Sequence, residues 1–308
     1  MKKFKILIAF PDIPYYNWQI LVQINNLKKF GYGEDVIYVV GKNQNNKISK
    51  QLKIVFEETK TQYFVYDDTR IDVKYPSSLR PHILKKYFKE NPKISNTYLY
   101  IDPDLLFSKK IDFTPFIKGK TWYLSDTKSY IDSKYIKSKG IGLFYMMTDT
   151  VCINPYIVEE NDDNAGGAQY LMKNIDDKFW EKVEKDSEDL YIKMQSTVDM
   201  YNPQHPIQSW TSDMWAVLWN AWALGHKTKI IPEFNFSWAT DSIDKYENLN
   251  FFHNAGVFNQ ENLFNKTKYQ QTPFNSDFSH VSKDFCSYKY VEEIGETKNN
   301  FPKLIKLF

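Results

Sequence analysis

The chain has 308 residues, 42% hydrophobic and 17% aromatic, which is ample material for a buried core and too apolar for intrinsic disorder. Its 40 lysines and arginines against 38 aspartates and glutamates leave a formal net charge of +2, so no overall field makes nucleic acid or a membrane surface the main partner, although a local basic face for DNA stays compatible with that total. The two cysteines, Cys152 and Cys286, lie far apart with no CxxC or Cys/His spacing and support neither a disulfide framework nor a zinc site.

In chain order, "FKILIAF" predicts a first strand: its apolar run is too short for a signal peptide and stops at Pro11 and Asp12. "NWQILVQINNLKKFG" predicts a helix closed by Gly31, and "DVIYVVG" a second strand. "ISKQLKIVFEETK" reads as a helix and "QYFVYDD" as a third strand. "SLRPHILKKYFKEN" reads as a helix despite its proline, and "TYLYID" as a fourth strand. This alternation is the pattern of βαβ units on a parallel sheet, whose strand ends are the usual ligand-binding edge. Beyond residue 110, "KTWYLSDTKSYI" and "GIGLFYMMTDTVCINP" look like strands, and "GGAQYLMKNIDDKFWEKVEKDSEDLYIKMQ" predicts one or two helices. "SDMWAVLWNAWALG" is an apolar helix ended by Gly225, followed by "KTKIIPEFNFSW" as a strand with an irregular end and "LNFFHNAGVF" as a short strand with a polar interruption. No stretch approaches the roughly 20 apolar residues of a membrane helix, so a soluble, cytoplasmic protein is expected. The abundance of Lys, Asn, Tyr, Ile and Phe is a hint of an AT-rich genome.

Four motifs stand out. In "YLYIDPDLLF", side chains at i and i+2 of an extended segment point the same way, so Asp102 and Asp104 can aim both carboxylates at one point past a strand end. Pro103 stops the strand. Hard carboxylate oxygens suit Mg²⁺ or Mn²⁺, ions that carry substrate phosphates, and the plain alternative is an Asp-Pro turn. In "NDDNAGGAQYLMKN", adjacent glycines entering a helix permit close approach of a ligand, or serve a capped turn. In "QSWTSDMWAVLWNAWALG", Trp215, Leu218, Trp219 and Trp222 fall at core spacings, while Ser212 or Asp213 is an N-cap or, for Asp213, a group facing sugar hydroxyls. In "FFHNAGVF", a histidine precedes Asn254 and Gly256 in a broken strand, where the plain alternative is a hydrogen-bonded structural residue. An imidazole joined to two carboxylates favours Mn²⁺.

With these motifs in this order the sequence resembles a glycosyltransferase of the GT-A fold, in the retaining branch typified by glycogenin and the bacterial galactosyltransferases. In wording, "DPD", "NAGGAQY" and "SDMWA" resemble the hydroxyproline arabinosyltransferase and peptidyl serine galactosyltransferase group and its viral and bacterial relatives. The resemblance spans most of residues 1–270. It implies an α/β, Rossmann-like, mostly parallel central sheet with helices on both faces. The expected organisation is one GT-A domain over 1–275, with a nucleotide-binding half to 110 and a sugar and acceptor half over 111–275, followed by a C-terminal extension over 276–308.

The resemblance further implies that Asp102, Asp104 and His253 ligate Mn²⁺ or Mg²⁺, with Asp102 also near the donor ribose. Asn164, Ala165, Gly166 and Gly167 would line the donor sugar, and Asp213 would bind its hydroxyls. Arg80 and Lys85 match the place of a basic residue against the donor. "DIPYYNW" would hold the base, with Asn17 beside it and Tyr15 or Tyr16 stacking. Gly256 belongs to the His-x-x-Gly segment, and Lys266 or Lys268 stands where the family clamps the diphosphate, without the usual Lys-Pro. Met214 replaces the family's Gln after the helix-opening Asp. The candidate catalytic groups are Asp213, Asp163 and Gln169, and Asp163, Glu233 and Asp241 are all possible as an inverting general base.

The expected reaction is metal-dependent transfer of a sugar from a nucleoside diphosphate donor, most simply UDP-linked, to an acceptor hydroxyl on a peptide, a glycan or a hydroxymethylated DNA base of phage type. "PEFNFSWATD", with Asn235, Trp238 and Asp241, offers an acceptor platform. Two other classes compete. A nucleotidyltransferase or phosphohydrolase also uses paired aspartates with a divalent ion, and a carbohydrate-binding protein explains the tryptophans without the two aspartates.

Overall fold

The first apolar run forms β1 (Lys5–Pro11), five of whose residues are buried. It pairs in parallel with β2 (Val36–Asn43), from Ile6 opposite Val36 to Pro11 opposite Gly41. Pro14 opens the intervening helix Pro14–Lys29, where its missing N–H costs nothing, and Gly31 just beyond takes φ +82° to let the chain turn back. The helix Lys50–Thr59, capped by the Ser49 hydroxyl, leads into β3 (Gln62–Asp68) beside β2. These are the βαβ units that the sequence predicts. The computed structural model describes residues 4–92, 94–201 and 204–308.

The chain divides into two compact units. A flanking unit comprises Lys5–Val65, Ile101–Phe113 and Glu233–Phe308, and a central unit comprises Tyr66–Tyr100 and Thr114–Pro232 with Phe4. The flanking unit also carries a small sheet of β5 (Leu105–Phe107), β9 (Phe236–Trp238) and β10 (Phe251–His253). β10 runs antiparallel to β5, placing His253 opposite Leu105, and parallel to β9, placing His253 opposite Trp238.

Buried amides on the first helix fix this sheet. Gln23 donates to the carbonyls of Asp102 and Leu105 at 2.8 and 3.0 Å, while Asn26 donates to the Phe107 carbonyl at 3.0 Å and accepts its N–H at 2.7 Å. Each would be costly to bury unpaired, so together they dictate where the Asp102–Asp104 segment lies.

Residues 276–308, expected as an extension, supply the helix Ser287–Asn300, which packs on the first helix inside the flanking unit. Its buried Glu293 accepts from Asn25 and Asn26 at 2.6 and 3.2 Å. Burial pushes this carboxyl above its ordinary value against the opposing bonds from Asn26 and Asn25 and the charge of Lys29. A raised acid stabilises the fold while protonated, and that contribution is lost as pH rises above about 4.5 through the shifted value. Wild type is therefore expected to lose urea stability relative to Glu293→Gln as pH rises above about 4.5.

In the central unit, β7 (Gly166–Lys173) lies between β4 (Thr97–Tyr100) and β6 (Trp122–Asp126), antiparallel to both, and β8 (Thr228–Ile230) is parallel to β6. The fold is α/β as expected, but the fourth strand pairs with an antiparallel neighbour here. The helices Leu79–Glu90, Asp177–Ser196 and Ser212–Ala223 pack together, and Trp215, Leu218, Trp219 and Trp222 are buried as their spacing predicts.

Three expectations about individual elements fail. "GIGLFYMMTDTVCINP" holds the helix Ile141–Val151, because its buried Leu143, Phe144, Met147, Thr148 and Val151 recur at three and four residues. "GGAQYLM" is strand β7 and enters no helix. All eight residues of β7 are buried between neighbours, so it shows no amphipathic period, and the register irregularity at Leu124 and Ser125 falls opposite its glycine end. "KTKIIPEFNFSW" splits into β8 and β9 around the Pro232–Phe234 turn, since proline cannot donate to a strand ladder. No helix among the described residues is long and apolar enough to cross a membrane.

Candidate metal centre

The Asp102–Asp104 segment of the flanking unit is a turn, closed by the Leu105 N–H on the Asp102 carbonyl at 3.2 Å. The turn reading holds, and this turn is what presents both carboxylates. It runs straight into β5, and the β5–β10 register brings His253 alongside. The His253 Nε2 lies 3.3 Å from Asp104 Oδ1 and 3.7 Å from Asp102 Oδ2. One ligand atom from each of the three residues falls within 4.8 Å of the others.

A cation of the chain itself sits at the cluster. Lys266 forms an ion pair with the other oxygen of Asp104. Burial alone would push the Asp104 carboxyl up, but the Lys266 ammonium and His253 outweigh it and hold it well below the usual carboxylate range. Nearby, burial and the Asp104 charge raise the Tyr15 hydroxyl, keeping it protonated.

The imidazole is fixed by packing. Trp238 on β9 stacks on it at 5.4 Å and 18°, and Phe236 lies at 5.6 Å. The Asn254 N–H donates to the Asp104 carbonyl at 3.1 Å, and Gly256 takes φ +87°, a conformation that glycine supports readily. The His253 Nδ1 and the Asn254 side-chain nitrogen are buried without partners. An unsatisfied buried donor costs roughly 1–3 kcal/mol, which points to a ligand oxygen as the missing acceptor. Two hard carboxylates and one imidazole around a single point, with an unmet donor beside them, fit Mn²⁺ or Mg²⁺ carrying an oxygen-rich anion.

The other expected residues of this unit have structural bonds. Asn17 donates to Asp12 Oδ1 at 3.0 Å and to Ser49 Oγ at 3.3 Å, while Asp12 also accepts the Ser49 N–H and hydroxyl at 2.6 and 2.7 Å. Asp12 and Ser49 were not singled out by sequence, although a carboxylate just past β1 obeys the same strand-end rule as Asp102. The Tyr15 ring meets Tyr16 edge-on at 4.9 Å.

The remaining candidates belong to the central unit. Asp213 is no N-cap: Thr211 occupies that position and Asp213 sits in the first turn. Its carboxylate accepts from the Tyr75 hydroxyl at 2.6 Å and pairs with Arg80. Lys85 pairs instead with Glu184 at 2.5 Å, whose other oxygen meets His82 Nδ1 at 2.7 Å, so Arg80 and Lys85 serve different acids. Asn164 accepts the Ile230 N–H at 3.3 Å, and its carbonyl accepts from Thr228 at 3.3 Å. Ala165, Gly166 and Gly167 are buried. A Cβ on Gly166 would stand 2.5 Å from the Ser125 carbonyl oxygen, and one on Gly167 would stand 2.5 Å from Met214 Cε. Asp163 is exposed in a short turn, whereas Gln169 is buried in β7 with its oxygen accepting from Ser125 and its nitrogen unpartnered.

No family model matches the sequence, and no curated protein matches it. Similar solved structures include the bifunctional glycosyltransferase WbbM without ligand, at 11% identity and TM-score 0.47, covering 99% of this chain. The chain spans 51% of that protein's structure. The galactosyltransferase LgtC with donor and acceptor sugar analogues is similar at 13% identity and TM-score 0.45, with 95% of each chain covered. A glycosyltransferase involved in glycosylation of the major capsid of PBCV-1 is similar at 9% identity and TM-score 0.42, covering 87% of this chain and 96% of that one.

Proposed function

We propose that the protein is a metal-dependent glycosyltransferase of the GT-A type, acting in the cytoplasm on a nucleoside diphosphate sugar, UDP-linked, and transferring the sugar with retention to an acceptor hydroxyl. The observation that carries this reading is the meeting of Asp102, Asp104 and His253 at one point beside Lys266 and the unpartnered Asn254 amide. These residues come from 102–104 and 253–266, segments that a turn-only reading gives no reason to converge.

Asp102, Asp104 and His253 would hold Mn²⁺ or Mg²⁺. When bound, that ion supplies Lewis-acid neutralisation of charge on a departing diphosphate. Lys266 adds a second positive charge for the same oxygens, and Asn254 offers a hydrogen-bond donor that is already desolvated. Trp238 keeps the imidazole aimed, so little reorganisation is needed when charge develops. The Tyr15 ring is the proposed stacking surface for the base. The sugar-contacting roles of Asp213 and of Asn164 to Gly167, and catalytic roles for Asp163 and Gln169, are tested through their own variants. Peptide, glycan and hydroxymethylated DNA hydroxyls are the acceptor classes to screen.

Incubation with Mn²⁺ and a panel of nucleotide sugars, followed by assay of nucleotide release, is expected to yield UDP from one sugar nucleotide and nothing after chelation. Phosphate or diphosphate release from plain nucleoside triphosphates, with every sugar nucleotide left intact, would replace this reading by the phosphohydrolase or nucleotidyltransferase one.

A further inference from the structure

We propose that Lys266 is the resident counter-cation of the metal centre: it competes with the divalent ion for Asp104 and makes binding of the ion and of a diphosphate mutually dependent. This inference rests on the metal reading of Asp102, Asp104 and His253.

Both oxygens of Asp104 are already engaged, Oδ2 by the Lys266 ammonium and Oδ1 by His253 Nε2 at 3.3 Å. The Asp104 side chain is only 9% exposed, against 25% for Asp102, so an ion reaching Asp104 must take the place of a bound cation and not of bulk water. Charge sharpens the point. With a neutral imidazole, two carboxylates and one ammonium leave one net negative charge, and adding a divalent ion turns this into one net positive charge. Excess charge in a desolvated site is costly unless an anion balances it. A diphosphate does so, and it gives the displaced ammonium a new partner.

The segment carrying Lys266 is built for a side-chain movement without backbone movement. Its short Lys266–Lys268 turn is capped by Asn265, whose Oδ1 accepts the Thr267 N–H at 3.0 Å. Phe264, two residues earlier, stacks on Tyr269 at 5.3 Å and on Tyr290 of the C-terminal helix at 5.5 Å. Lysine's flexible four-carbon stem can therefore exchange one anion for another from an anchored base. Because coupling free energy is reciprocal, whatever the Lys266–Asp104 pair takes from ion binding, the diphosphate returns by accepting the lysine.

The test is Mn²⁺ titration of the purified full chain by electron paramagnetic resonance, with and without UDP. Wild type is expected to bind Mn²⁺ weakly alone and roughly tenfold more tightly with UDP. Lys266→Met should bind Mn²⁺ alone several-fold more tightly than wild type and gain little from UDP, whereas Lys266→Arg should keep the wild-type pattern. Lys266→Gln serves as a second neutral variant, with circular dichroism confirming the fold of each. Tight binding restricted to the charged forms, or equal Mn²⁺ affinity in wild type and both neutral variants, overturns the role of Lys266 and leaves the metal reading standing. No Mn²⁺ binding by wild type under either condition overturns the metal reading itself.

Discussion

Replacing Asp104 with asparagine is expected to lower nucleotide release by roughly a thousandfold, equivalent to about 4 kcal/mol of transition-state stabilisation, while leaving the thermal unfolding midpoint within a few degrees of wild type. Asparagine keeps the volume and the backbone carbonyl that accepts the Asn254 N–H, so the turn into β5 is preserved. What disappears is a negative charge facing His253 and Lys266. Asparagine also keeps a side-chain oxygen that accepts from the Lys266 ammonium and from His253, so neither is left unpaired and stability should change little. Steady-state release measured beside a melting curve separates the effects, and full activity in the folded variant would sink the assignment of Asp104 to the metal.

Asp213→Ala should behave in the opposite way, as a folding defect first. In the central unit its carboxylate satisfies the Tyr75 hydroxyl and Arg80 together, and Arg80 is 22% exposed against 10% for Asp213. Truncation takes the carboxylate away from Arg80 in a desolvated place, for a cost of about 3 kcal/mol, at the lower end for a broken buried pair because Arg80 reaches some water and the Tyr75 hydroxyl keeps the Trp210 carbonyl as acceptor at 2.6 Å. Asp213→Asn retains an acceptor for Tyr75 and should lose less. Urea midpoints for the two variants decide this. If alanine leaves the midpoint unchanged, Asp213 is not a structural anchor, and any activity it loses belongs to contact with substrate.

The readable parts of the chain were those with short-range causes. β1, β2 and the helices between them follow from local periodicity and from Pro14 and Gly31. Asp102, Asp104 and His253 were found because two close carboxylates and a histidine in a broken strand are local patterns whose chemistry combines. The Lys266 pairing with Asp104 spans 162 residues, and no spacing rule announces it. Trp238 over His253 depends likewise on the β9–β10 register. Gln23 and Asn26 look like the polar face of an exposed helix, yet both are buried, because their partners are backbone groups that carry no mark in the sequence. The Ile141–Val151 helix and β7 were exchanged for a related reason. A short, almost wholly apolar run lacks the contrast between faces that tells a period of 3.6 from a period of 2.

The central claim is that Asp102, Asp104 and His253 hold a divalent ion beside a diphosphate. It is tested most directly by growing crystals with Mn²⁺ and UDP and recording anomalous scattering at the manganese edge. The account predicts one strong peak at the Asp102, Asp104 and His253 side chains, with the Lys266 ammonium moved from Asp104 to the diphosphate. UDP bound with no manganese peak at these residues, and Lys266 still paired with Asp104, would contradict it.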